Sequence, residues 1–323
     1  MKAIVRETYG PPEGLELKEI DKPVAGDDDV LVRVHAAGVD QGVWHLVTGK
    51  PYLLRILGFG LRRPKNRVPG LDVAGRVEAV GRNVTRFQPG DEVFGTCAGS
   101  YAEYALARQD KLAPKPSNIS FEQAAAVHSS ALAAFQGLRR SARVQAGQKV
   151  LVVGAGGGVG TFAVQLAKEF GANVTGVCST KKMDLVRSIG ADDVIDYTRE
   201  DFTAGPRRYD LIVDIAGGRS LSRLRRALAP RGTLVVVGSE EGGRWVQGVD
   251  RAIRAAMLSP FVSQKLRMLV SMENEEDLES VRKLMEAGKL TPVVDRTYSL
   301  SEVPKAIQYL RAGHACGKVV ITV

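Results

Sequence analysis

Two rhythms of hydrophobic and polar residues divide the chain near Ser120. Before it, AIVRE, LELKEI and VLVRVHAAGV alternate apolar and polar positions, and VAGRVEAVG and DEVFG continue the pattern. Such alternation turns one face of a strand to a core and the other to water. Pro69-Gly70 and Pro89-Gly90 mark turns between the runs. An antiparallel, partly closed sheet is predicted. At Ser120 the spacing becomes helical: SFEQAAAVHSSALAAFQGL opens with Ser120 as the cap, followed by Glu122 and Gln123.

Short apolar runs then alternate with amphipathic helices. The runs are VLVVG (150–154), NVTGV (173–177), DVID (193–196), DLIVDI (210–215) and TLVVVG (233–238), with KLRMLVS (265–271) as a sixth. Near-continuous Val, Ile and Leu suit strands buried on both faces of a parallel sheet. EEDLESVRKLMEAG reads as an amphipathic helix ending at Gly288, and the tail from Thr297 returns to strand and helix, finishing on GKVVITV. The expected class is α/β, a doubly wound parallel sheet plus a mostly-β domain. Residues 1–122 and 273–323 are assigned to the second of these, and 123–272 to the parallel sheet.

The segment VLVVGAGGGVGTFAVQLAKEFGA carries the clearest chemistry. A buried strand runs into Gly154, Gly157 and Gly160, with Gly158 and Val159 between the last two, and then into a helix. Glycines let the backbone turn tightly and approach a pyrophosphate, while the helix amino terminus offers free N–H groups. A tight turn without a ligand is the alternative. Ala216, and Val237, Gly238 and Ser239, follow the fourth and fifth strands at the edge where dinucleotides bind.

Sites for NAD place an acid at the end of the second strand. Here that strand ends in Cys178, Ser179, Thr180, Lys181 and Lys182, with no acid before Asp184. Two unit charges about 4 Å apart interact by roughly 4 kcal/mol at an effective dielectric of about 20. A carboxylate would oppose a 2′-phosphate and a lysine would reward it. NADPH is therefore the expected cofactor, with Ser179, Lys182 and Tyr197 as phosphate contacts. For Lys181 and Lys182 the alternative is a solvated helix start.

Composition narrows the remaining choices. A chain of 323 residues favours two domains. The net charge of +9 would suit nucleic acid, anionic lipid or a phosphorylated cofactor. The arginines are scattered and aromatics make up only 6%, which argues against nucleic acid. Cys97, Cys178 and Cys316 form no CxxC pair, which fits a reducing, cytoplasmic setting. MKAIVRETYG reads as a first strand rather than a leader, and the apolar stretch 124–135 is too short for a bilayer.

Taken in order, VRVHAAGVD, VPGLDVAGRVEAVGRNVTRFQPGDEVFG, EQAAAVHSSALAAFQGL, VLVVGAGGGVGTFAVQLA, GADDVIDY and GKVVITV resemble the medium-chain dehydrogenase/reductase superfamily, in its quinone oxidoreductase-like branch. The resemblance covers essentially the whole chain. It implies a groES-like substrate domain, a Rossmann cofactor domain, the nucleotide in the cleft between them, and often a homodimer. Zinc-dependent members carry Cys, a His-Glu pair and a second Cys where this chain has Asp40, Leu71-Asp72 and Ser129, and only Cys97 stands in the region of their four-cysteine loop. No catalytic or structural zinc is expected.

Without a Lewis acid, an electron-poor acceptor is the easier substrate. The expected reaction is hydride transfer from NADPH to a quinone or an α,β-unsaturated carbonyl. Enoyl-thioester reduction and a non-catalytic, RNA-associated NADPH-binding protein are the alternatives. The resemblance sets Asp40–Tyr52 beside the nicotinamide. Relatives often have Asn at Asp40, and many have an acid at Val43. Tyr52 matches a substrate-orienting tyrosine, and a phenol can donate a proton at neutral pH; a surface aromatic is its other reading. His128, next to the place of a missing zinc ligand, is read as a structural histidine or a proton donor. Trp44 and His45 are pocket-lining candidates, with buried packing favoured for Trp44. Lys318 is expected to reach the cofactor, or else to be a strand-edge lysine. The apolar segment 252–266 covers substrate or joins a dimer.

Overall fold

The computed structural model describes residues 1–56, 60–238 and 249–323. In chain order the strands and helices begin with β1 (Lys2–Val5), β2 (Glu16–Glu19), β3 (Asp29–Val39), α1 (Gln41–Thr48) and α2 (Tyr52–Leu54). Next come β4 (Asp72–Val80), β5 (Glu92–Thr96), β6 (Tyr104–Arg108), β7 (Leu112–Pro114), α3 (Phe121–Ala125) and α4 (His128–Gln136). The middle of the chain holds β8 (Lys149–Val153), α5 (Gly158–Glu169), β9 (Asn173–Cys178), α6 (Met183–Ser188), β10 (Asp193–Asp196) and β11 (Tyr209–Asp214). It continues with α7 (Leu221–Ala227), β12 (Leu228–Val236), α8 (Val249–Leu258) and β13 (Lys265–Met268). The last elements are α9 (Glu275–Glu286), β14 (Val294–Ser299), α10 (Val303–Arg311) and β15 (Lys318–Thr322).

Two compact units result, one from residues 1–130 and 273–323, the other from 131–272. In the first, a sheet ordered β14-β15-β3-β4-β5-β7, with β6 also on β3, is antiparallel except at β14–β15. The tail closes this sheet: β15 pairs Val319 with Val39 and Thr322 with Ala36. Alternate apolar residues of β3 and β4 (Val30, Val32, Val34, Val73, Val77) fill its core with Phe87 and Leu112.

The second unit is a six-stranded, wholly parallel sheet ordered β10-β9-β8-β11-β12-β13. Counted from its own first strand, that order is 3-2-1-4-5-6, the doubly wound arrangement with a topological switch point between β8 and β11. Burial of Leu151, Val153, Ile212, Leu234 and Leu266 explains the unbroken apolar runs of these strands.

Three expectations need correction. The first boundary lies at Ser130/Ala131, not at residue 122, because α3 packs on β3, β4 and β15 of the first unit. The helix from Ser120 is two helices, α3 and α4, followed by a π turn at Gly137–Ala142. Its start stands as read: Ser120 accepts from the Gln123 amide (3.2 Å) and the Gln123 side chain accepts from the Ser120 amide (3.0 Å). The fifth strand begins at Leu228 rather than Thr233, through a register shift where Tyr209 pairs with Leu228.

Candidate active site

The carboxyl edge of the parallel sheet is built around the glycine turn. Gly154 adopts φ +90°, a conformation that favours glycine, and a Cβ there would lie 3.2 Å from that of Ala216 after β11. Amides of Gly154 and Ala155 both bond the Val177 carbonyl at 3.0 Å, tying the turn to β9. A Cβ on Gly160 would fall 2.0 Å from the Gly154 carbonyl oxygen, so only glycine lets α5 start so close to the turn. Gly157 is the cap residue of α5, and no side chain caps that terminus. The amides of Gly158, Val159 and Gly160 at its start thus face outward without an intrahelical acceptor.

Ser179 caps the short turn Thr180–Lys182 that follows β9. The Lys182 side chain lies along Gly156, where a Cβ would meet its Cβ and Cδ at 2.8 Å. Tyr197 is half exposed just after β10, with its amide on the Cys178 carbonyl (3.1 Å). One acid of this edge, Asp196, ends β10, and the sequence reading passed over it. Its carboxylate accepts from Thr180 Oγ1, Thr198 Oγ1 (2.7 Å) and the Thr198 amide (2.9 Å), and these bonds, led by that of Thr180, hold it below the usual carboxylate range. Val237 follows β12 with its amide on the Asp214 carbonyl (2.9 Å), and Gly238 comes next. Ser239 lies outside the described residues.

A second feature was also missed. Asp214, fully buried at the end of β11, faces the Arg251 guanidinium of α8 and accepts from the Gly217 amide (3.2 Å). Burial pushes its carboxyl up, and Arg251 pulls it back. Arg251 also donates to the Arg219 carbonyl (2.6 Å), so one side chain fixes the loop that carries Ala216.

In the first unit, residues at the positions of the zinc ligands form a buried polar cluster. Asp72 is fully buried; it accepts from the Ser129 amide (3.2 and 3.3 Å) and from Ser129 Oγ. The Lys318 ammonium, 2% exposed, stands 3.6 Å from Asp72 Oδ2 and donates to Ser130 Oγ at 3.0 Å. Lys318 is therefore neither at a free strand edge nor open to solvent. Asp40 spends Oδ1 on the Val43 amide (3.1 Å) as the cap of α1, while its Oδ2 is buried without a partner. These groups do not suit zinc: an ammonium already neutralises Asp72, and Ser129 is a donor to it.

His128 is buried, its Nδ1 3.8 Å from Asp72 Oδ1 and lacking a hydrogen-bond partner. Burial lowers its pKa, which favours the neutral ring. Trp44 packs against the core of the first unit with the Arg311 guanidinium 4.3 Å from its ring. His45 Nδ1 sits 2.6 Å from the Lys50 carbonyl, which engages it locally. Tyr52 opens α2, partly buried, with the Arg55 guanidinium 4.8 Å from its ring.

These features belong to a class, a doubly wound nucleotide-binding unit joined to a mostly antiparallel one. The chain matches the alcohol dehydrogenase GroES-like domain family over residues 26–117 and the zinc-binding dehydrogenase family over 189–321. It is 32% identical to the quinone oxidoreductase of Homo sapiens over 332 residues, covering 99% of this chain and 97% of that one. It is 35% identical to the chloroplastic NADPH-dependent alkenal/one oxidoreductase of Arabidopsis thaliana, covering 99% and 79%. The solved quinone oxidoreductase of Coxiella burnetii superposes with a TM-score of 0.88 at 30% identity, covering 100% and 99%. The chain belongs to the medium-chain dehydrogenase/reductase superfamily, in its quinone oxidoreductase-like branch.

Proposed function

We propose that this protein is an NADPH-dependent reductase that hands hydride to a quinone or to the β-carbon of an α,β-unsaturated carbonyl. The observation that carries the reading is the uncapped start of α5, set behind a glycine turn at the switch point with Lys182 along it. NADPH supplies the hydride when bound. The chain's own residues do the rest. Amides of Gly158, Val159 and Gly160 hold the pyrophosphate, and Gly154 and Gly157 let it approach. Ser179, Lys182 and Tyr197 hold the 2′-phosphate. Asp196, ionised and engaged by Thr180 and Thr198, is offset by the Arg199 guanidinium 3.6 Å away. Ala216 backs the adenine end, and Val237 and Gly238 the nicotinamide end.

An acceptor that is already electron-poor takes hydride with hydrogen bonds and a proton. That suits a chain whose Ser129 is committed to Asp72, and whose Asp72 is paired with Lys318. Tyr52 is assigned the hydrogen bond to the acceptor's carbonyl. The homodimer reading has support from β13, which is the edge of its sheet and lies near exposed Met257, Phe261, Met268 and Val270 in the chain.

Lys182→Ala tests the cofactor assignment. A hydrogen bond to a charged group is worth about 1.5–3 kcal/mol, so the KM for NADPH should rise roughly ten- to hundredfold while NADH kinetics stay unchanged. An equal effect on both cofactors removes Lys182 from the phosphate contact.

A further inference from the structure

The amino edge of the parallel sheet, opposite the glycine turn, carries a concavity of about 320 Å³. Arg143, Arg231, Lys265 and Arg267 line it, together with Asp210 and Gln148. The four cations come from three parts of the unit. Arg143 follows the π turn; Arg231 lies on β12, and Lys265 and Arg267 on β13. Thr233 pairs with Lys265 and Val235 with Arg267, so Lys265 and Arg267 share one face of β13, while Arg231 reaches the concavity from the irregular start of β12. Leu234 and Leu266, the intervening residues, go to the core on the other.

Three observations set this pocket apart from an ordinary basic surface. First, none of the four cations makes an ion pair among the described residues, unlike Arg207 with Asp193 or Arg223 with Asp201 in the same unit. Second, the lone carboxylate in the wall is partly committed: Asp210 Oδ2 accepts from the Lys149 amide at 2.9 Å. Third, Arg143 holds φ +55°, and among the described residues it is the one non-glycine residue with positive φ. Glycine or asparagine is the ordinary occupant of such a helix end. Here a charged side chain is kept in a sparsely populated conformation, of the kind that clusters at ligand sites.

We infer that this pocket is a binding site for a small oligophosphate anion, a molecule carrying two or more linked phosphates, separate from the dinucleotide site. Three guanidinium groups and one ammonium around a single concavity match several phosphate oxygens, since each guanidinium fork can engage two of them. Mutual repulsion among four unpaired cations is relieved when such an anion enters. The volume lies at the lower end of the range for small-molecule pockets, which suits a di- or triphosphate moiety. The inference stands independently of the reductase reading.

The test is calorimetric titration of the full chain with inorganic tripolyphosphate at 150 mM salt, with saturating NADP⁺ filling the cofactor site. The expected result is saturable binding of one anion per chain. Arg231→Gln/Arg267→Gln should weaken it at least tenfold with the unfolding midpoint unchanged. Arg143→Gly, which relieves the backbone, should weaken it while keeping or raising the midpoint. Absence of saturable binding overturns the site, as does equal binding by the variants. A single-stranded RNA that binds where tripolyphosphate does not, with the same loss in the variants, overturns the small-anion assignment in favour of nucleic acid.

Discussion

Replacing Lys318 by methionine keeps most of the side-chain volume and removes the ammonium that faces Asp72. Both groups are sealed from water, at 2% and 0% exposure, and stand 3.6 Å apart. At that distance, with an effective dielectric of about 20, the lost attraction is roughly 4 to 5 kcal/mol. Breaking one side of a buried pair typically costs about 3–5 kcal/mol, because the remaining charge is left uncompensated. In a unit of this size, about 1 kcal/mol moves the midpoint by roughly 2–4 °C, so the expected fall is about 6 to 20 °C. The loss should depend on pH. Burial already raises the Asp72 pKa, with Lys318 opposing that rise, so removing the ammonium raises it further. A carboxyl whose folded pKa is raised stabilises the fold below its unfolded pKa, and that stability drains as pH climbs through the folded value. Lys318→Met should therefore be most damaged at pH 8 and recover toward pH 5. Lys318→Met/Asp72→Asn should regain most of the loss at pH 8. Urea unfolding followed by circular dichroism at both pH values reads this directly. A loss under about 1 kcal/mol at pH 8, or a double variant no better than the single, would refute the paired-charge account.

Other consequences follow from the same geometry. Gly160→Ala puts a methyl group into the Gly154 carbonyl and should abolish NADPH binding in a fluorescence titration, whereas Gly156→Ala pushes against Lys182 from its Cβ outward and should weaken NADPH binding about as much as Lys182→Ala does. Tyr52→Phe should lower turnover with quinone at least tenfold while leaving the NADPH dissociation constant unchanged; unaltered turnover removes Tyr52 from the reaction. Ser120→Ala breaks a reciprocal capping box and should cost about 1 kcal/mol in urea unfolding.

Much of the fold was legible because its signals are local. The parallel strands betray themselves by unbroken Val, Ile and Leu, and the glycine turn by a strand before it and a helix after it. Ser120 could be read as a cap because its partner, Gln123, is three residues away. The site inside the first unit was harder to read for the opposite reason. Asp72 and Lys318 meet only because β15 returns from the far end of the chain to pair with β3, beside β4. A usable signal did exist: Lys318 is the one charge in the strand KVVIT, and Asp72 stands just ahead of the apolar Val73 and Ala74, with the opposite sign. Asp214 and Arg251 are similar, the aspartate ending an apolar run and the arginine arriving from α8. The first boundary was displaced because the alanine-rich segment after Ser120 has no residue that marks where one core ends and the next begins.

The central claim, a reductase that draws hydride from NADPH and needs no metal, is tested most directly by one measurement. Oxidation of NADPH by the purified protein would be followed with an aromatic quinone, and in parallel with an enone, in the presence of a strong chelator and with NADH as control. The account predicts chelator-resistant turnover of at least one acceptor, with clear preference for NADPH. Turnover that vanishes with the chelator, or equal rates with NADH, would contradict it.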